Sequence, residues 1–359
     1  MHLTFFILAK CEWNKFIKYV LKVLKHCVRI CIVAEYFVSW WNLENLFDLE
    51  DSKTRPAWLQ KHLANELKGW NSKILDKKIA QLASIIKKMN NGAGPDILGV
   101  CEVENESVVQ RLVDSLDSLQ RDYYIVHEDT EDKRGIDVAI IFDEDKFNFE
   151  KKFSHVVLKR ESTRDIFQVN LKIQKTKQDL IIVGNHWPSR MGGELDSEPY
   201  RMTAGETLSY WHQRILEEKE KEGIKNAPIL VMGDFNDEPH NRSITHYALA
   251  TNSLEQVLNP RVRNPLLYNL MWNLMASGQG THFGTEFSML DQFMVSKGLL
   301  LTDSRIKVKL DSTNIIKFPE MIKTGYYQAP LRFGRPAKDG MNKKGFSDHF
   351  PISIILEEN

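Results

Sequence analysis

Short β-rich apolar runs recur along this chain, and each ends in a polar side chain able to do chemistry. Phe37 to Trp41 runs into Asn42, Asp96 to Cys101 into Glu102, Leu180 to Val183 into Gly184-Asn185-His186, and Ile229 to Met232 into Gly233-Asp234-Phe235-Asn236. Further on, Met289-Leu290 leads into Asp291 ahead of Phe293-Met294-Val295, and Asp348-His349 stands just before the run Phe350 to Leu356. Val138 to Phe142 and Ile166 to Ile173 also read as strands, the second alternating in the half-exposed manner. Apolar positions at helical spacing predict helices over Leu75 to Met89, Ser107 to Leu119 and Met202 to Lys221, the first stopped by Gly92-Ala93-Gly94-Pro95. Thr302 to Lys344 is poor in regular pattern and reads as a long excursion with short strands only. This order predicts an α/β (α+β) fold in which two sheets pack face to face with helices outside, gathering the polar strand ends along one edge.

Composition narrows the function. The chain of 359 residues carries 48 Lys+Arg against 48 Asp+Glu, so it has no global basic field of the kind that nonspecific nucleic-acid binding relies on. The balance is uneven. Residues 1–36 hold six basic and two acidic side chains, net +4, which leaves 42 against 46, net −4, for residues 37–359. We therefore expect an N-terminal extension over 1–36 and a catalytic domain over 37–359. Within the extension, Lys15, Lys18, Lys22, Lys25 and Arg29 oppose Phe16, Ile17, Val20, Leu21, Leu24, Val28 and Cys31, a basic amphipathic helix over residues 15–31. Its readings are peripheral contact with anionic lipid, an apolar face packed on the domain, or a misplaced start of translation. Met1 to Ala9 lacks the charge order of a secretory signal, and Asn264 to Thr285, the longest uncharged stretch, is broken by polar residues and reads as a helix turn plus loop. No transmembrane span is expected, and the compartment stays open, with export and membrane association among the readings. Four cysteines (Cys11, Cys27, Cys31, Cys101) make neither a disulfide framework nor a zinc spacing.

Glu102, Asp234, Asp291 and Asp348, with Asn42 and Asn236, supply oxygen donors and no thiolate, which suits Mg²⁺, with Mn²⁺ also plausible, and argues against zinc. Adding His186 and His349 completes a set for phosphoryl transfer: a cation to neutralise charge, a carboxylate to activate water, imidazoles to donate to phosphate oxygens. By default an Asp after a strand is a turn or cap residue and a His beside Trp is a satisfied core residue. The functional reading rests on six motifs in order: W-N-L-E-N-L-F-D (41–48), G-V-C-E-V-E-N (99–105), G-N-H-W-P-S-R (184–190), M-G-D-F-N-D-E-P (232–239), L-D-Q-F-M-V-S (290–296) and F-S-D-H-F-P-I (346–352). Together they resemble the endonuclease/exonuclease/phosphatase superfamily, the group of deoxyribonuclease I, exonuclease III-type repair enzymes, neutral sphingomyelinases and inositol polyphosphate 5-phosphatases.

The resemblance implies a four-layer α/β/β/α sandwich of two packed mixed β-sheets, deoxyribonuclease I-like, over roughly residues 37–356. It implies that Asn42 and Glu102 hold the metal, with Asp348 completing the cage directly or through water. Asp234 is implied to orient and deprotonate the attacking water, Asn236 to fix it or donate to the phosphate, and His186 to donate to a non-bridging oxygen. His349 is implied to contact the phosphate while Asp291 holds its tautomer. The W-N-L-E-N and C-E-V-E-N segments depart from the W-N-x-N-G and Q-E of the repair enzymes, and the 5-phosphatase signature is not seen near the C-terminus. The closer likeness is to a poorly specialised, largely bacterial branch.

Around this set, Arg134 reads as a phosphate ligand or a solvated turn arginine, and Asp137 as a buttress for His186 or a strand-edge salt bridge. Ser189, Arg190 and Arg201 flank the pliant Met191-Gly192-Gly193 as a substrate loop or an ordinary surface loop. Gly325-Tyr326-Tyr327, Arg332 to Pro336 and Lys343-Lys344 alternate cations with aromatics, a pattern suited to a nucleotide or single strand. The expected activity is a metal-dependent phosphodiesterase, foremost a nuclease (endonuclease or exonuclease) on DNA or RNA. The alternatives are a sphingomyelinase-like lipid or small-molecule phosphodiesterase, and a catalytically idle binding version of the fold. The expected partner is a phosphodiester substrate, with no obligate protein partner.

Overall fold

The computed structural model describes residues 33–158, 163–335 and 340–358. The chain opens with β1 (Ala34–Leu46), α1 (Ala57–Leu63), α2 (Ser72–Ile86), β2 (Ile97–Val103), α3 (Glu106–Asp114), β3 (Tyr123–His127) and β4 (Asp137–Asp143). It continues through β5 (Phe147–His155), β6 (Ile166–Ile173), β7 (Asp179–His186), α4 (Glu194–Lys221), β8 (Ile229–Asp234) and β9 (Ala250–Thr251). Then come α5 (Leu254–Leu258), β10 (Leu267–Asn269), α6 (Trp272–Ala276), β11 (His282–Phe283), β12 (Phe287–Ser288) and β13 (Asp291–Val295). Three strands close the fold: β14 (Ile306–Val308), β15 (Asn314–Ile315) and β16 (Ile352–Glu358). The predicted N-terminal amphipathic helix, residues 15–31, lies outside the described residues.

Two seven-stranded mixed sheets result. The first runs β14-β16-β1-β2-β4-β3 with β15 beside β16, and the second runs β5-β6-β7-β8-β13-β10-β9. Parallel pairs β1/β2 and β7/β8 lie at their centres, flanked by antiparallel neighbours. The inner faces share the main core, which includes Trp40, Val100, Phe142, Ile182, Met232 and Phe293. A second core fills the space between the other face of the second sheet and α4, with Ile181, Val231, Leu208 and Ile215. Glycine sets how closely the sheets approach. A Cβ on Gly99 of β2 would stand 2.8 Å from Met232 Cε on β8, and one on Gly184 of β7 would stand 2.7 Å from Val138 Cγ1 on β4.

Helices α2 and α3 start where side chains cap them: Asn71 accepts from Ile74 N and Asn105 from Val108 N. Two predicted limits shift. Helix α4 begins at Glu194 instead of Met202 and carries Pro199 inside it, its first turns held together by Ser197 Oγ donating to Gly193 O and Arg201 donating to Glu194 O. The uncharged stretch 264–285 contributes β10 and β11 as well as the short α6, because strand pairing to β13 and β12 satisfies backbone groups that its sequence gives no periodic sign of burying. Among its described residues, the excursion 302–344 holds only the short β14 and β15 as strands. Among the described residues no helix is long and apolar enough to cross a membrane.

Candidate functional site

Register brings the polar strand ends together. His186 closes β7 opposite Asp234 of β8, and Asp234 in turn faces Asp291 at the start of β13. On the other sheet Asn42 of β1 pairs with Cys101, one residue before Glu102. Both β1 and β2 shift register here, and Glu44, Asn45, Glu102 and Asn236 all have left-handed backbones, with φ between 50° and 60°. Such bulges end regular pairing and re-aim side chains, at a conformational cost that surrounding contacts must hold. The contacts are local and of one kind. Asn42 Oδ1 accepts from Glu44 N at 2.9 Å, Asp234 Oδ1 from Asn236 N at 2.9 Å, and Ser347 Oγ from His349 N at 3.1 Å, each closing a turn two residues on.

The side chains converge on Asp234. Its Oδ2 accepts from Asn42 Nδ2 at 3.0 Å and lies 4.0 Å from His186 Nε2 and 3.9 Å from His349 Nε2. Burial, reinforced by Asp291, pushes the Asp234 carboxyl up to about 7. His349 Nδ1 sits 2.6 Å from Asp291 Oδ2. Although burial works against its charge, Asp291 and Asp234 hold His349 well above the ordinary imidazole value. His186 goes the other way. Burial first, then the nearby Arg164 and Arg134, push it well below the ordinary value, and its Nδ1 has no hydrogen-bond partner. Glu102 accepts from Asn45 N at 2.9 Å and from Arg134 Nη2 at 3.2 Å. Against the opposing effect of burial, Arg134 holds the Glu102 carboxyl below its ordinary value.

Asp234, His186, His349, Asn42 and Glu102 line a cavity of about 600 Å³ together with Asn236, Asp348, Ser189, Arg190, Arg134, Arg332 and Arg335. Asp348 is partly exposed on the wall, 3.9 Å from Arg332 Nη2. Arg190 is braced by Asn236 O at 2.8 Å and by Asp237, Asn241 and Glu194. Lys343 and Lys344 are absent from this wall.

Two residues with expected substrate roles sit elsewhere. Arg201 is fully buried, its Nε 2.8 Å from Asp237 Oδ1, so it neutralises a buried carboxylate under the site and cannot meet substrate. Asp137 is buried at the start of β4 and accepts from Thr130 N and Oγ1, which closes a turn; neither bond goes to His186. Three residues of the site, Asp237, Arg164 and His282, escaped the sequence reading, and a fourth, Glu44, stood in the first motif with only a supporting or turn role. Glu44 accepts from Arg332 Nε, Phe333 N and Gly334 N, and Asp237 takes both Arg190 and Arg201. Arg164 donates to Trp187 O, the same carbonyl that Asn236 Nδ2 uses. The His282 ring lies tilted at 46° against that of His349, with ring centroids 4.9 Å apart. Only Glu44 carried a signal, as the polar residue two past Asn42.

Known proteins share this arrangement of sheets. The catalytic domain of human Nocturnin with bound sulfate has 18% identity over 90% of this chain and 94% of that one, with a TM-score of 0.54. An endonuclease/exonuclease/phosphatase family protein from Bacteroides thetaiotaomicron has 16% identity over 91% and 99%, with a TM-score of 0.53. A mannosyl-6-phosphatase from the same bacterium has 18% identity over 89% and 99%, with a TM-score of 0.51. At these identities the likeness establishes the fold, a pair of packed mixed sheets of the deoxyribonuclease I kind. No curated protein matches the chain in sequence. The family model described as Endonuclease/Exonuclease/phosphatase family matches residues 37–358, and with it the six ordered motifs and the sandwich agree: the chain belongs to the endonuclease/exonuclease/phosphatase family.

Proposed function

We propose that the protein is a divalent-metal-dependent phosphodiesterase that breaks a P–O bond with activated water and acts on nucleic acid. The observation that carries this reading is the convergence on Asp234, whose carboxylate lies within 4.0 Å of two imidazole nitrogens and 3.0 Å from the Asn42 amide. A buried carboxyl raised toward neutrality is a base able to take a proton from water, the Brønsted optimum for general-base work near pH 7. His349 carries its proton at neutral pH and presents Nε2 to a phosphate oxygen, while Asp291 fixes the other nitrogen. His186, kept neutral, donates a hydrogen bond without adding charge. Arg134 and Arg190 stand on the cavity wall to orient the phosphate.

The donor chemistry fits a hard cation. Asn42, Glu102 and Asp348 offer oxygen, and the thiol beside His186 and Asp234, Cys101, is buried, with burial pushing it well up and away from thiolate. Mg²⁺ or Mn²⁺ held there supplies neutralisation of the phosphate and leaving-oxygen charge. Similar structures include one named a mannosyl-6-phosphatase, so the fold alone does not select the ester. Nucleic acid is favoured by the four arginines that line the cavity, Arg134, Arg190, Arg332 and Arg335.

The test is a panel of single-stranded DNA, RNA, plasmid DNA, sphingomyelin, inositol phosphates and bis-p-nitrophenyl phosphate, each with Mg²⁺ or Mn²⁺. Hydrolysis of nucleic acid is expected to stop with EDTA and to fall at least a hundredfold, on the order of a general base's contribution, in Glu102→Ala and Asp234→Ala. Hydrolysis indifferent to EDTA or to both substitutions overturns the mechanism; hydrolysis confined to sphingomyelin or phosphomonoesters overturns the substrate.

A further inference from the structure

Beside the acidic cavity lies a second one of about 560 Å³, and the two share His282, Gly284, Arg332 and Asp348 along their common wall. Its size is that of a small-molecule site. Phe283 and Phe333 put aromatic rings on its wall, and Phe283 reaches further rings outside the lining. The Phe283 ring is 5.1 Å from Phe287 at 70° and 5.1 Å from Tyr327 at 34°. Tyr327 arrives on a loop whose neck is closed by the Ile322–Pro330 bridge and by Lys323 N donating to Ala329 O at 2.7 Å. That loop leaves Tyr327 60% exposed and Tyr326 93% exposed. Phe283 thus links the cavity wall to exposed rings beside it, which an incoming flat ligand would cover.

The charged side is held in place. Arg332 Nε donates to Glu44 Oε1 at 2.9 Å, and the next two backbone N–H groups donate to the same buried carboxylate at 2.8 and 3.1 Å. Lys323 adds a second cation to the wall. Cation and aromatic ring side by side, adjoining a phosphoryl-transfer centre, match the two halves of a nucleotide: stacking takes the base, and the cations take the phosphodiester.

We propose that this second cavity is the subsite for the nucleotide adjoining the scissile phosphate, with the base against Phe283 and Tyr327 and its phosphate toward Arg332 and Lys323. The proposal rests on the phosphodiesterase reading and deepens it: a base lying in a cavity is unstacked from its neighbours, so the substrate is a single strand or a frayed end, and stacking makes base preference weak.

The experiment uses a short single-stranded DNA with 2-aminopurine next to a phosphorothioate at the scissile position, bound to the full chain in EDTA, together with steady-state hydrolysis of the unmodified strand. Wild type is expected to quench the 2-aminopurine on binding. Phe283→Ala is expected to lose the quench and raise KM about tenfold with kcat nearly kept, Tyr327→Ala to do the same to a lesser degree, and Phe283→Tyr to restore both. Hydrolysis of the strand without quenching, or with Phe283→Ala equal to wild type in quench and KM, overturns the subsite while leaving the phosphodiesterase reading intact. Failure to hydrolyse any nucleic acid, with activity on another ester, overturns both.

Discussion

The Asp291 carboxylate joins the two sheets: Oδ2 lies 2.6 Å from His349 Nδ1, and Oδ1 accepts from Trp40 Nε1 at 3.0 Å. Asp291 heads β13 of the second sheet, Trp40 lies in β1 of the first, and His349 precedes β16, so one buried carboxylate sets the imidazole's orientation and anchors it across the sandwich. Asp291→Asn keeps the shape and removes the charge that sustains the imidazolium. Its kcat is expected to fall by roughly 10²–10⁴-fold with KM little changed, the scale seen when an orienting carboxylate is neutralised. Steady-state kinetics on whichever ester the panel identifies checks this, and an unchanged kcat removes His349 from the reaction.

Glu44 holds the arginine loop through one carboxylate and three donors, and its backbone carbonyl accepts from the buried Lys78 ammonium. Glu44→Ala strands two backbone N–H groups and unbalances a buried cation. A loss of about 3–5 kcal/mol is expected in urea denaturation, with faster proteolytic cutting near Arg332 to Arg335. Glu44→Gln retains an acceptor and is expected to lose less. Equal stability of all three proteins contradicts this account.

Arg201 separates a structural role from a substrate role. Arg201→Ala leaves Asp237 buried without its fully buried partner, so the midpoint of denaturation should drop by an amount worth about 3–5 kcal/mol. At a temperature where the variant remains folded, KM is expected to stay within about threefold of wild type, since each 1.4 kcal/mol of lost contact would show as tenfold. A large KM rise with unaltered stability would return Arg201 to the substrate.

Acid sensitivity has a source on α4, outside the cavity lining of the candidate site. His212 on α4 is 2% exposed, neither ring nitrogen has a partner, and burial pushes it down from 6.5 to about 4. The unfolded chain takes up this proton near pH 6.5 and the native one resists it to about pH 4, so stability is whole above pH 6.5 and declines as pH falls through that window. From pH 7 to pH 5 the decline from this residue is about 2 kcal/mol. His212→Leu should flatten that part of the profile; urea midpoints at pH 7 and pH 5 decide it, and parallel profiles refute the assignment.

Much of the site is legible because it is local. An apolar run that ends in Asn42, Glu102, His186 or Asp234 places that side chain at a strand end wherever the strand packs, and the order of such runs already describes two sheets. Strand β3 carries a short β-prone run, Tyr123 to Val126, whereas β5 is not legible in the same way, since Phe147–His155 mixes charged and polar residues with aromatics and becomes a strand through pairing to β6. Roles that depend on a distant partner were equally hidden. Arg201 reads as a loop arginine until Asp237 is found against it, Asp137 as a buttress until Thr130 takes its carboxylate, and Glu44 as a turn residue until a loop 288 residues away donates to it. Sequence by itself determined which donors stand at the strand ends, because alternation and turn chemistry act over a few residues. Only the tertiary structure decided which of the charges face the cavity and which are buried and neutralised, because Coulombic pairing and desolvation depend on distance in space and not along the chain.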